Sequence, residues 1–140
     1  MTRHRGRRRE VRALLGLASD EAFVTGDLPT IEYLTGFDGS NATLALGPER
    51  ELLITDGRYR EQAAAQCPDI EVCIDRDVSG ALASGLTQRR LRIDDRSSAS
   101  FVAALRSRGF SITAIADPVA AARMAKDADE QRALAAACAI

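Results

Sequence analysis

Apolar residues along this chain gather in short runs of three to five, and between those runs they fall at helical spacing. Val11, Leu14, Leu15 and Ala18 stand at i, i+3, i+4 and i+7, which predicts an amphipathic helix. Strands are predicted at 22–25, 43–46, 51–55, 70–74, 91–93 and 111–115, each rich in aliphatic or β-branched residues and bounded by turn formers. Gly47-Pro48-Glu49-Arg50 joins the second and third of these as a hairpin, and residues 26–29 predict a turn. Helices are predicted at 58–66, closed by Cys67-Pro68, at 78–86, weakened by Gly80 and Gly85, and at 99–108, ended by Gly109. An Ala-rich helix follows Asp117-Pro118. Asp127 and Glu130 then form a capping-box pattern, and the apolar face of Leu134, Ala137, Cys138 and Ile140 runs to the last residue. Strands alternating with helices predict an α/β domain. The hairpin rules out an all-parallel arrangement, so the expected architecture is a mixed sheet of about five or six strands flanked by helices.

Composition narrows the picture. A chain of 140 residues is one ordinary domain, and with 46% hydrophobic but only 4% aromatic residues its core must be mainly aliphatic. The net charge of −1 gives no electrostatic case for a nucleic-acid or membrane partner. The basic residues are uneven, however: Arg3, Arg5, Arg7, Arg8 and Arg9 crowd the start. No aromatic side chain is interleaved with them to stack on bases, and no apolar face precedes Val11. Residues 1–10 are therefore expected to form a flexible basic tail. The apolar run at 11–18 is broken by Arg12 and too short for a secretory signal, and no stretch approaches the ~20 apolar residues that span a bilayer. Cys67, Cys73 and Cys138 form no C-x-x-C pair and are odd in number, so neither a disulfide frame nor a zinc knuckle is supported, and the cytoplasm is the default location.

The densest information lies in Tyr33-Leu34-Thr35-Gly36-Phe37, Gly39-Ser40-Asn41 and the later Thr55-Asp56, Arg58-Tyr59 and Glu61-Gln62-Ala63. This wording resembles the N-terminal domain of the Xaa-Pro aminopeptidase, prolidase and creatinase family, whose core is similar to a ribonuclease H-like motif. Arg123, Lys126, Glu130, Leu134, Ala137 and Ile140 also resemble the segment with which that family enters its catalytic domain. Thr30 departs from the pattern, standing where the family commonly has Asn. The resemblance implies a non-catalytic domain at 11–122, followed at 123–140 by a linker and the truncated first helix of a metallopeptidase domain. It further implies a C-terminal catalytic domain of the same polypeptide as partner, a homodimer, and a proline-containing peptide as substrate. Two divalent metal ions, manganese, cobalt or zinc, would sit in that absent domain on two Asp, one His and two Glu. The single histidine here is His4, among arginines, so no catalytic residue or metal ligand is carried over. Phe37, Asn41, Arg58 and Tyr59 are the candidates for shaping substrate access or a subunit interface.

Two other readings stand beside it. Asp56, Asp75, Asp94 with Asp95, and Asp117 each follow an apolar strand. Gathered on neighbouring strands they would suit a metal-dependent, ribonuclease H-like nuclease; singly, each would cap a helix or open a turn. A self-contained α/β binding module is the third reading, which requires the last helix to bury its apolar face. Gly36 to Ser40 leads into a strand and lacks both phosphate-loop patterns, so it is expected to be a structural loop.

Overall fold

The computed structural model describes residues 2–140. Its elements run α1 Arg3–Leu15, β1 Glu21–Thr25, α2 Leu28–Thr35, β2 Thr43–Leu46, β3 Glu51–Thr55, a 3-10 turn Gly57–Tyr59, α3 Arg60–Gln66, β4 Glu71–Ile74, α4 Val78–Gly85, β5 Arg90–Asp94, α5 Ala99–Ser107, β6 Ser111–Ile115, α6 Ala120–Met124 and α7 Ala128–Cys138. The six strands form one mixed sheet in the order β4-β3-β2-β1-β5-β6. The hairpin pairs β2 with β3 antiparallel, Thr43 facing Ile54. β1 meets β2 antiparallel but β5 parallel, and the outer pairs β3–β4 and β5–β6 are parallel. Five strands thus point one way and β2 the other.

All five residues of β1 are buried, because helices cover both faces of the sheet. The period-2 alternation of a strand sorts its side chains between two cores. Phe23, Leu44, Leu46 and Leu53 pack on one face with Val11, Ile31, Leu34, Phe37 and Val119. Ala22, Val24, Ala45, Leu52, Ile54, Leu91 and Ile93 pack on the other with Leu82, Leu105 and Phe110.

Two expectations are corrected. The basic start is not a tail: residues from Arg3 onward form α1, N-capped by the Thr2 hydroxyl, which accepts from Arg5 N, and closed by Gly16 at φ 55°. Arg8 is fully buried and Arg7 nearly so. The Arg8 guanidinium donates to Glu51 Oε2 at 3.0 Å, Asp69 Oδ2 at 2.8 Å and the Leu34 carbonyl at 2.9 Å. Charge-assisted hydrogen bonds on every side let a cation sit where only an apolar residue is normally tolerated. The expected turn at 26–29 also differs, because Asp27 caps a further helix, α2, that begins at Leu28, accepting from Thr30 N and the Thr30 hydroxyl. The capping box of α7 is present as expected.

Candidate functional site

The signature residues converge where the loop leaving α2 meets the end of β3. α2 ends at Gly36, whose φ of +81° a side chain would strain, and its N–H closes the helix on Glu32 O. Phe37 N then donates to Thr35 Oγ1, which turns the Phe37 ring into the core. Gly39 must lack a side chain: a Cβ there would lie 2.3 Å from Phe37 Cζ and 3.0 Å from the Tyr59 ring. Those rings meet edge to face at 5.7 Å, and the Tyr59 hydroxyl hydrogen-bonds Ser40. Chiefly the hydrogen bond with Ser40 holds the Tyr59 phenol below its ordinary value. Asp38 fastens the loop from outside, accepting from Gln62 at 2.7 Å and Gln66 at 2.9 Å.

Asp56 is the hub of this corner. It is buried at the carboxyl end of β3 and opens the 3-10 turn by accepting from Arg58 N. The Arg58 guanidinium folds back on the same carboxylate, Nε to Oδ1 at 2.9 Å and Nη2 to Oδ2 at 3.0 Å. Asn41 Nδ2 donates to Oδ2 at 2.7 Å, and Asn41's own carbonyl accepts from the Thr55 hydroxyl at 2.6 Å. Arg58, then Asn41, hold the Asp56 carboxyl well below the usual carboxylate range. Arg58 lies 5.3 Å over the Tyr59 ring, and its side chain remains 71% exposed. The four residues singled out from sequence, Phe37, Asn41, Arg58 and Tyr59, therefore share one corner, joined through Asp56, Gly39 and Ser40.

The strand-end aspartates lie at or just past the carboxyl ends of β3, β4, β5 and β6, and among them Asp94 and Asp117 share a partner, Arg96. Asp56, Asp75, Asp94 and Asp117 each accept from the backbone N–H two residues on, in Arg58, Asp77, Arg96 and Val119. This is the local turn chemistry of Asp. Asp94 repeats the Asp56 arrangement, with Arg96 bonded to both of its carboxylate oxygens. Arg96 also lies 3.3 Å from Asp27 and 3.5 Å from Asp117. Asp27, Asp94 and Arg96 border a cleft of about 580 Å³ between the ends of β1 and β5, with Leu28, Pro29 and Phe101 in its wall. None of the four candidate residues lines it. Among the described residues no three His, Cys, Asp or Glu side chains are grouped to hold a metal ion. His4 instead points Nδ1 at the Tyr33 carbonyl, 3.1 Å away. The metal ions implied for a parent protein find no donor set among the described residues. Among the described residues, no helix is long and apolar enough to cross a membrane.

The mixed sheet with helices on both faces and this corner at the carboxyl end of β3 define a layered α/β domain. The chain belongs to the family of creatinase/prolidase N-terminal domains, whose model matches residues 7–125. The N-terminal domain of the cytoplasmic peptidase PepQ from Mycobacterium tuberculosis H37Rv is similar at 32% identity, covering 81% of this chain and 95% of that one, with a TM-score of 0.71. A Xaa-Pro aminopeptidase from Streptococcus pyogenes is 30% identical over 83% of this chain and 92% of its own, with a TM-score of 0.73. The X-Pro aminopeptidase of Thermotoga maritima MSB8 is 26% identical over 86% of this chain, at a TM-score of 0.71, and this chain spans only 38% of its length. No curated protein matches the sequence.

Proposed function

We propose that this chain serves as the non-catalytic N-terminal domain of an Xaa-Pro peptidase-like metallohydrolase, and that the Phe37–Tyr59 corner narrows substrate access and supports dimerisation. On this reading the segment 123–140 leads into a C-terminal catalytic domain. That domain would hold two divalent metal ions and hydrolyse the bond next to proline in a peptide. The family membership and the fraction of the Thermotoga maritima enzyme that the chain spans support the division of labour. Met124 and Leu134 are exposed large apolar side chains, which suits a further segment packed against α6 and α7.

Arg58 is the observation that carries the access role. Two of its nitrogens are engaged by Asp56, which fixes the guanidinium plane, while its other N–H groups have no protein partner among the described residues. An exposed, pre-oriented guanidinium is suited to a carboxylate, whether of a peptide substrate or of a second subunit. The test is Arg58→Ala in the polypeptide that joins this domain to its catalytic domain. A raised KM for Xaa-Pro peptides or a weakened dimer is the expected result, measured where the variant is fully folded, since releasing the Asp56 carboxyl also lowers the domain's melting temperature somewhat. Unaltered KM and unaltered dimerisation would overturn the role.

A further inference from the structure

Arg7 has no part in the corner just described, yet it is nearly buried and heavily engaged. Its Nη1 donates to the Tyr33 carbonyl at 2.9 Å, in the last turn of α2, and its guanidinium lies 3.8 Å over the Tyr33 ring. Its Nη2 reaches the other way, to Asp127 Oδ2 at 2.5 Å and Glu130 Oε1 at 3.1 Å. Those two carboxylates are the capping box of α7: Asp127 accepts from Glu130 N, and Glu130 accepts from Asp127 N. No residue of α7 is buried, so this helix owes nothing to the apolar core. Its attachment to the domain runs through the polar groups at its first turn. Arg3 adds a weaker, more exposed contact to Asp127 and Asp129 at 3.7 and 3.5 Å.

We propose that Arg7 is a positioning residue that fixes the direction in which the chain leaves the domain. A single planar guanidinium clamps the start of α7 onto the C-terminal end of α2, the helix that delivers Gly36 and Phe37 to the corner. A charged pair of this kind, with the cation shielded from water, is screened far less by salt than a surface pair. The planar fork also sets an orientation that a lysine ammonium cannot reproduce. Arg7 therefore ties the exit helix to the corner across α2. Where the proposed catalytic domain follows α7, this clamp sets its approach to Phe37 and Arg58, a consequence that rests on the function proposed above.

The clamp is testable on the 140-residue chain by itself. Cys138 is exposed at the end of α7, Cys67 is buried and Cys73 is half-buried. In a Cys73→Ser background, spin labels at Cys138 and at Ala103→Cys on α5 report the distance from the exit helix to the opposite side of the sheet. The expected result is a single narrow distance distribution that broadens or splits in Arg7→Ala and is only partly restored by Arg7→Lys. Asp127→Asn with Glu130→Gln provides the complementary variant should Arg7→Ala fail to fold. Asn and Gln keep the helix cap but remove both charges, so far-UV circular dichroism should stay constant while the distribution broadens. A narrow, unshifted distribution in either variant overturns the clamp. That outcome would leave the peptidase reading standing, since the latter is judged on turnover.

Discussion

Replacing Arg8 by Ala probes the least ordinary feature of the core, a cation with no solvent exposure in a helix of arginines. The substitution strips Asp69 of its guanidinium, removes one of two arginines from Glu51 and leaves the Leu34 carbonyl without its donor. Breaking a buried pair from one side costs about 3–5 kcal/mol. The low end applies here, because Glu51 keeps Arg12 at 2.6 Å and the Asp69 side chain is 22% exposed. A loss of about 3 kcal/mol is expected. Unfolding entropy of about 2.1 cal/mol/K per residue converts this into a fall in Tm of roughly 10 °C for a chain of this length. Urea denaturation followed by circular dichroism, with the exposed Arg9→Ala as control, measures it. The pH dependence adds a signature. Burial alone would raise the Asp69 carboxyl, but Arg8's hydrogen bond and charge reverse this and leave it lowered. A depressed carboxyl contributes stability that is full above its unfolded value near ~4 and is lost as pH falls through its folded value. Arg8→Ala should therefore flatten the acid side of the stability curve. A loss below about 1 kcal/mol, with an unchanged acid limb, would refute the argument that Arg8 is a structural cation.

Three further outcomes follow from the packing. Gly39→Ala should destabilise by roughly 1–3 kcal/mol by pushing Phe37 and Tyr59 apart, whereas Gly57→Ala, with nothing within 4 Å of its added Cβ, should be close to neutral in the same melt. Leu34→Ala, at a fully buried position, should cost about 2–5 kcal/mol in chemical denaturation. Arg58→Ala should move the Asp56 carboxyl, followed by NMR titration, upward toward the ordinary range while Asn41 and the backbone N–H keep it somewhat low. An unmoved titration would show that the Arg58 pair does not persist in solution.

Most of the sheet was legible because its strands carry short aliphatic or β-branched stretches, unbroken in β2 and β3 and alternating with Arg in β5, between Gly, Pro and Asp punctuation. The hairpin 43–55 and the strand 111–115 fall where the pattern places them. The missed part of α1 shows where such reading stops. Arg8 lies three residues before Val11 and seven before Leu15, so it continues the helix's inward stripe, but its charge disguises the periodicity. Its partners Glu51 and Asp69 are distant in sequence and only the fold brings them together. Thr2 as N-cap and Gly16 past the end were the available signals, and both are used. α2 was hidden for a different reason: Thr30, Ile31 and Thr35 are β-branched and poor helix formers, and burial of Ile31 and Leu34 overrides that preference. Asp27 followed by Pro29 was the cue. At the corner, the motif identified Phe37, Asn41, Arg58 and Tyr59. The hub Asp56 was legible only as one of several strand-end aspartates, since each of these looks alike until its Arg or backbone partner is known.

The central claim, that this is the auxiliary domain of an Xaa-Pro hydrolase, is tested most directly by turnover. The 140-residue chain and the longer polypeptide carrying it should be assayed side by side on Xaa-Pro dipeptides and tripeptides with manganese, cobalt or zinc supplied. The account predicts proline-specific hydrolysis by the longer polypeptide, abolished by chelation, and none by the isolated chain. Metal-dependent cleavage by the 140 residues alone, or a metal-loaded longer polypeptide without activity on any Xaa-Pro peptide, would contradict it.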